Sequence, residues 1–397
     1  MKLLFLVSSL DLTQPFSATP AWWQLLKGLY EIGVDVIATP YQGPAIETLW
    51  WRAAANPAKW QGDAFKAARD TLRRVAPSKP TPPAAEVPNE GESRSDQMVR
   101  TAAQTLIAPL WERHLDRLLT KEPDIDAVIV LTAPLNQLKG VAASLIAKHR
   151  KPILYYDGDV PASLPSMQGF ASGFRIYQGA DVGEYTAFIS NSKGGAETLK
   201  TMGVNAVHTL YYGADPDVFS PVEVPAQDLD VFFYGHGREY RAEWIDAMIT
   251  QPSQAMPDAA FALRGTKLGD IGRARTLPYL SFSKLREYAC RSKLNLVITR
   301  AAHANVYASS SSRPFELASM GCCMVANPYL GVENWFEPGK EIFVVTSAEE
   351  AADRYRYLLA HDAERRAAGE AARARVLKEH TFVHRARELV EIVKGYL

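Results

Sequence analysis

The residues best suited to chemistry lie in Ser309-Ser310-Ser311-Ser312-Arg313-Pro314-Phe315-Glu316-Leu317-Ala318-Ser319-Met320-Gly321. Four hydroxyls and a guanidinium lead into a predicted helix with Pro314 at its first position. Free backbone N–H groups at a helix start, together with Ser311, Ser312 and Arg313, suit a bound phosphate or diphosphate. Glu316 is expected in the first turn, where a carboxylate complements the dipole and could accept from a ribose diol. The same residues serve equally as a plain helix start, with Ser312 as N-cap and Glu316 as a favourable charge. A second anion-friendly stretch is Tyr234-Gly235-His236-Gly237-Arg238, between a predicted strand and a predicted helix. Gly235 and Gly237 let backbone approach a ligand closely, and Arg238 and Arg241 can reach a diphosphate. A short glycine turn is not the six-residue dinucleotide fingerprint. Arg264-Gly265 is a third candidate, with a turn glycine beside a solvated arginine as the plainer reading. Asp157 and Asp159, in Tyr155-Tyr156-Asp157-Gly158-Asp159, stand at a strand end where a general base for an acceptor hydroxyl would belong. A solvated Asp-Gly turn is the plainer reading of either acid alone. His236 and His303 are lone histidines near the anion-friendly stretches. Each reads first as structural, with His236 the better placed of the two.

These residues need elements to hold them, and the sequence supplies two β-α series. In the first, strands are predicted at Leu3 to Ser8, Val34 to Ala38, Ala127 to Leu131, Pro152 to Tyr156, Phe188 to Ser190 and Val207 to Tyr211. Helices are predicted at Pro20 to Ile32, Pro57 to Val75, 96–120, Leu138 to His149 and Gly194 to Met202. Apolar strands without alternation imply parallel sheets covered on both faces. Residues 76–95 hold Pro77, Pro80, Pro82, Pro83 and Pro88, which excludes helix or central strand and reads as a mobile loop. The chain turns loop-like from Gly213 through Pro225. A second series follows, with strands at Val231 to Tyr234, Ala260 to Arg264, Leu294 to Thr299, Cys323 to Val325 and Ile342 to Val344. Its helices are predicted at Arg241 to Ile249, Phe282 to Arg291, Pro314 to Met320 and Ala348 to His361. The final stretch puts Phe382, Ala386, Leu389, Val390, Val393 and Leu397 on one helical face.

The chain has 397 residues, 47% hydrophobic and 22% charged. That excludes a disordered or collagen-like chain and leaves room for two cores. Lys and Arg total 44 and Asp and Glu total 44, so bulk charge gives no sign of a nucleic-acid binder. The neutrality is local cancellation. Residues 230–330 carry 12 basic against 8 acidic side chains, and residues 122–229 carry 7 against 12. A basic segment suits a diphosphate, and an acidic one disfavours a polyanionic acceptor. Cys290, Cys322 and Cys323 offer neither a disulfide framework nor zinc spacing, which fits a reducing compartment. Leu3 to Val7 reads as a buried first strand in preference to a cleaved leader. No stretch approaches the roughly 20 apolar residues of a membrane span.

Arg313-Pro314-Phe315-Glu316 through Gly321, preceded by Leu294-Asn295-Leu296-Val297-Ile298-Thr299, resembles the CgeB-like branch of the group 1, family 4-like, glycosyltransferases. Phe188-Ile189-Ser190-Asn191-Ser192, Tyr212-Gly213-Ala214-Asp215-Pro216 and Phe219-Ser220-Pro221 are similar to that family's middle stretch. The resemblance implies an α/β GT-B fold: two Rossmann-like domains with parallel sheets facing an interdomain cleft. The domains would be an acceptor-side 1–221, a donor-binding 222–381, and a last helix, 382–397, crossing back. Glu316 would hold the donor ribose, Gly235, Gly237 and Arg238 would face the diphosphate, and Ser311, Ser312 and Arg313 would add phosphate contacts. Retaining relatives often carry Glu-x7-Glu, and the first glutamate falls at Ala308 here. The expected activity is hexosyl transfer from a nucleotide-diphosphate sugar such as a UDP-sugar to an acceptor, with retention, in the cytoplasm. No cofactor, no metal and no nucleic-acid partner are expected; Asp157-Gly158-Asp159 is read as a non-metal motif. A nucleotide-sugar epimerase or glycan phosphorylase on the same fold, and a two-lobed solute-binding protein, are the alternatives.

Overall fold

The computed structural model describes residues 1–11, 21–64, 71, 94–167, 176–237, 241–278 and 282–397. They form two compact units. The first comprises Met1–Asp11, Leu25–Leu210 and Ala386–Leu397; the second comprises residues 21–24 and Tyr211–Arg385.

The first unit is built on β1 (Lys2–Ser9), β2 (Asp35–Gln42), β3 (Arg52–Ala53), β4 (Ala127–Leu131), β5 (Ile153–Asp157), β6 (Ala187–Ser190) and β7 (Val207–Thr209). All pair in parallel, in the order β3-β2-β1-β4-β5-β6-β7. Leu3 through Val7 are fully buried, with Leu3 paired to Val36 on one side and Ala127 on the other. A strand covered on both faces has no reason to alternate, and its apolar run marks it in the sequence. Helices α1 (Ala21–Glu31), α2 (Arg94–Leu106), α3 (Ala108–Lys121), α4 (Val141–His149) and α5 (Lys193–Thr201) accompany these strands. The single helix expected over 96–120 is two, parted at Ile107. Pro109, at the second position of α3, has no N–H to continue the ladder of α2. The helix of Pro57 to Val75 is described only in part, and the loop expected over 76–95 lies outside the described residues up to position 93. Arg94 and Ser95 already belong to α2.

The second unit repeats the plan with β8 (Leu229–His236), β9 (Phe261–Thr266), β10 (Arg275–Thr276), β11 (Ser292–Val297), β12 (Met324–Ala326) and β13 (Phe343–Val344). These pair in parallel in the order β10-β9-β8-β11-β12-β13. Its helices include α6 (Phe282–Arg291), α7 (Ser312–Ser319), α8 (Ala348–Ala360) and α9 (Asp362–Glu379), and α10 (Phe382–Lys394) begins at its end, with the residues from Ala386 onward belonging to the first unit.

Three local departures have physical causes. The helix expected to stop at Ile249 continues through a π turn at Asp246–Thr250 to Ala255. Pro252 cannot donate to the Met248 carbonyl, and the Tyr355 hydroxyl takes its place at 2.9 Å. Helix α9 was not expected at all, because its buried face is built largely from small residues, Ala368, Gly369 and Ala372, with Val376. It packs on α7, where Arg373 Nε donates to the Ser319 carbonyl at 3.1 Å. In α10, Phe382, Ala386, Leu389 and Val393 are buried as expected, whereas Leu397 lies past the helix end and is exposed.

Candidate functional site

In both sheets the strand order reverses beside the first strand of the unit, between β1 and β4 and between β8 and β11. Open parallel sheets bind ligands outside the carboxyl ends of the strands at such a point. In the second unit those ends carry Tyr234-Gly235-His236 and Ile298-Thr299-Arg300, and α7 starts beside them.

Helix α7 begins at Ser312, with Ser311 as its N-cap. Pro314 is therefore the third helical residue instead of the first, and Glu316 is the fifth, two residues deeper than expected. A proline costs nothing at the third position, since that N–H has no intrahelical partner anyway. The earlier start puts Glu316 past the first turn, and its side chain is buried, 2% exposed. Its Oε2 accepts from the Tyr234 hydroxyl at 2.9 Å. Burial pushes the Glu316 carboxyl up, opposed by Tyr234, the Arg313 charge and the Ser312 hydroxyl.

Arg313 lies half-buried beside it. Its Nη1 donates to the Ile298 carbonyl at 2.8 Å, and its guanidinium lies 5.1 Å from the Phe233 ring centre and 5.2 Å from that of Tyr234. Desolvation lowers its pKa, against the stabilising influence of Tyr234 and Glu316. Arg241 reaches the same carbonyl, Nε to Ile298 O at 3.1 Å, and also holds the His236 carbonyl through Nη1 at 3.1 Å. Thus α7, β8 and β11 are locked together around one oxygen.

Gly235 has φ +155°, and a Cβ there would lie 2.7 Å from Arg313 Nη2. Only glycine lets the guanidinium lie against the strand. A Cβ on Gly265 would collide with the Gly235 carbonyl, so this glycine sets the close approach of β9 to β8.

Among the expected site residues, Gly235, His236, Gly237, Arg241, Ser311, Ser312, Arg313 and Glu316 lie on β8, on α7 and on the turns that lead from β8 and into α7. Arg238 lies outside the described residues. His236 turns its Nδ1 to Thr266 Oγ1 at 2.7 Å. Arg264 is neither solvated nor in a turn: it is a buried residue of β9, paired in register with Tyr234. Ser309 and Ser310 are buried in the loop, Ser309 Oγ donating to Val306 O and Ser310 Oγ accepting from Tyr212 N. The hydroxyl of Ser311 does not cap α7.

In the first unit, Asp157 ends β5 fully buried. Its oxygens accept from Ser163 Oγ at 2.5 Å, Tyr177 OH at 2.6 Å and Asp159 N at 2.9 Å. Burial pushes its carboxyl up to about 6, against those donors. Asp159 is half-buried. Sequence reasoning missed Tyr234 as the partner of Glu316, the Ile298 carbonyl as the shared acceptor, and Arg300. Nothing in local spacing announces a contact between residues 82 positions apart. Among the described residues no group of three or more His, Cys, Asp or Glu gathers to hold a metal.

Comparison with solved structures decides the fold. Sucrose-phosphate synthase of Thermosynechococcus elongatus is 14% identical and superposes with TM-score 0.63, over 99% of this chain and 98% of that one. The α,α-trehalose-phosphate synthase (UDP-forming) of Burkholderia vietnamiensis is 11% identical, with TM-score 0.64 over 99% and 98%. Anabaena HepE in complex with UDP-glucose is 14% identical, with TM-score 0.59 over the whole of both chains. The chain has the GT-B fold. Residues 238–391 also match the family model described as glycosyl transferase-like. No curated protein sequence matches. The cluster around the Ile298 carbonyl begins just before that matched region, at Tyr234, and continues through it. Among the described residues no helix is long and apolar enough to cross a membrane.

Proposed function

We propose that this GT-B chain is a glycosyltransferase of the CgeB-like branch, moving a hexose from a nucleotide-diphosphate sugar to an acceptor. One observation carries the reading: Arg313, Glu316, Tyr234 and Arg241 interlock at the switch point of the second sheet, inside or beside the glycosyl transferase-like match. In this reading Glu316, with one oxygen fixed by Tyr234, offers the other to the ribose diol. Ser311, Ser312, Arg313, Arg238 and Arg241, with the backbone at Gly235, His236 and Gly237, receive the diphosphate. Arg264 adds positive charge from the neighbouring strand. HepE was solved with UDP-glucose, so a UDP-sugar is the first donor to test.

The chemistry asks little beyond positioning and charge. The bond from the anomeric carbon to the diphosphate breaks, the acceptor oxygen forms the new bond, and the arginines stabilise the departing charge. Retention follows if the acceptor proton passes to a diphosphate oxygen on the same face. In the first unit, Asp159 is the acid exposed enough to orient an acceptor hydroxyl, and Asp157 holds the turn beneath it.

Arg313→Ala and Glu316→Ala should each weaken nucleoside-diphosphate binding by roughly 10- to 100-fold, the scale of a lost charge-assisted hydrogen bond. Calorimetry on UDP, ADP and GDP reads this directly. Unchanged affinity in both variants refutes the site.

A further inference from the structure

Spacing along the chain offers no disulfide, yet the second unit brings two of its three cysteines together. Cys290 lies in the last turn of α6, and Cys322 lies between α7 and β12. Cys290, half-buried, packs against the buried cluster that holds Ala289 and Cys322. Cys322 Sγ is 3.7 Å from the carbonyl oxygen of Ala289, the residue before Cys290, and the two thiols are hydrogen-bonded to each other. The pleat decides which of the adjacent cysteines takes this place. Cys322, Met324 and Ala326 belong to the cluster on the α6 side, whereas Cys323 and Val325 belong to the cluster on the opposite face of the sheet.

The paired thiols are unlike. The hydrogen bond with Cys322 leads in lowering Cys290 to about 7, against burial and with help from Val222 N–H and the Arg286 charge. Its thiolate is therefore well populated near neutral pH, and it is the more accessible of the two. Cys322 keeps its proton, because the hydrogen bond to Cys290 and then burial hold it well above the ordinary thiol range. An ionised, partly exposed sulfur beside a buried protonated one matches the division between an attacking and a resolving cysteine.

We propose that Cys290 and Cys322 are a thiol pair that hydrogen peroxide oxidises to a reversible disulfide joining α6 to the segment before β12. In the first step the Cys290 thiolate attacks one peroxide oxygen and the O–O bond breaks. The sulfur becomes a sulfenic acid, and the departing hydroxide takes a proton from solvent to leave as water. In the second step Cys322 Sγ attacks the Cys290 sulfur, the S–S bond forms and the S–O bond breaks. The Cys322 proton leaves with that hydroxyl as a second water. Two thiols lose two electrons, one peroxide gains them, and a dithiol reductant reverses the change. The proposal draws nothing from the donor site proposed above.

The test treats the full reduced chain with a slight excess of hydrogen peroxide, blocks remaining thiols with N-ethylmaleimide in denaturant, and maps the peptides by mass spectrometry. The expected product links the Cys290 and Cys322 peptides within one chain, with the loss of two hydrogens, while Cys323 carries the maleimide. Dithiothreitol should restore both thiols. The rate should fall roughly tenfold from pH 8 to pH 6, following the Cys290 thiolate. In Cys322→Ala the link should be absent, and dimedone should trap a sulfenic acid at Cys290. Should that variant fail to fold, judged by circular dichroism, Cys290→Ala replaces it, and there Cys322 and Cys323 should both stay reduced. Three intact thiols after treatment overturn the proposal. So does a link through Cys323, a link between chains, or a Cys290 that gains oxygen in the unaltered protein without bonding to Cys322.

Discussion

Replacing Asp157 with Asn should change the pH response of the first unit. The carboxyl is fully buried, and burial outweighs the three donors that favour its ionised form, leaving it at about 6 against an ordinary 3.8. Tyr155 and Asp159 stand near it as well. The sign follows from linkage: below 3.8 the group is neutral in both folded and unfolded chains and costs nothing. As pH rises from 3.8 to 6 the unfolded chain ionises first, so stability falls; above 6 the penalty is constant. A shift of about two units is worth about 3 kcal/mol. Asn has no proton to lose. The stability of Asp157→Asn relative to the unaltered protein should therefore rise by about 2.4 kcal/mol from pH 4 to 7, whatever offset the lost acceptor imposes. Hydrogen exchange of a peptide spanning Ile153–Asp157, in urea, reads this unit alone, and comparing the two proteins at matched pH cancels the intrinsic exchange rate. A difference that stays flat with pH, or falls, would refute the reasoning.

Three further outcomes are expected. Gly265→Ala should force β9 from β8 at the Gly235 carbonyl, costing about 1–3 kcal/mol of stability and at least tenfold in nucleotide affinity; unchanged melting and calorimetry would contradict the packing described. Glu184 accepts from Gly140 N at 2.8 Å, capping α4 from a distant loop, so Glu184→Ala should cost about 1 kcal/mol and speed exchange in Val141–His149. The Cys290 thiol, lowered to about 7 by its hydrogen bond with Cys322, should alkylate at pH 7.5 well before Cys322 and Cys323, whose thiols are pushed up. Equal labelling on peptide mapping would count against that pairing.

The sheets were legible because buried parallel strands are uninterrupted apolar runs, and Leu3 to Val7 or Ala127 to Leu131 can hardly be anything else. Helices were legible where an apolar stripe and a stop signal coincide. Helix α9 was invisible because small residues bury by close approach and leave no large stripe. Pro109 and Pro252 show the two fates of a proline in a helical pattern: one begins a new helix, and the other is absorbed because Tyr355 serves the orphaned carbonyl. Arg313 and Glu316 announced themselves by residue type, but their depth did not, since it depends on where α7 begins. Asp157 read as a turn acid. Its burial comes from Ser163 and Tyr177, 6 and 20 residues away, which no local pattern encodes.

The central claim is that Glu316 binds the ribose of a nucleoside diphosphate beside β8 and β11. The most direct measurement is the calorimetric affinity of the best-binding nucleoside diphosphate against its 2′,3′-dideoxy analogue, in the unaltered protein and in Glu316→Ala. The account predicts a loss of roughly tenfold or more on removing the diol in the unaltered protein, and almost none in the variant. An equal loss in both, or none in either, would contradict it.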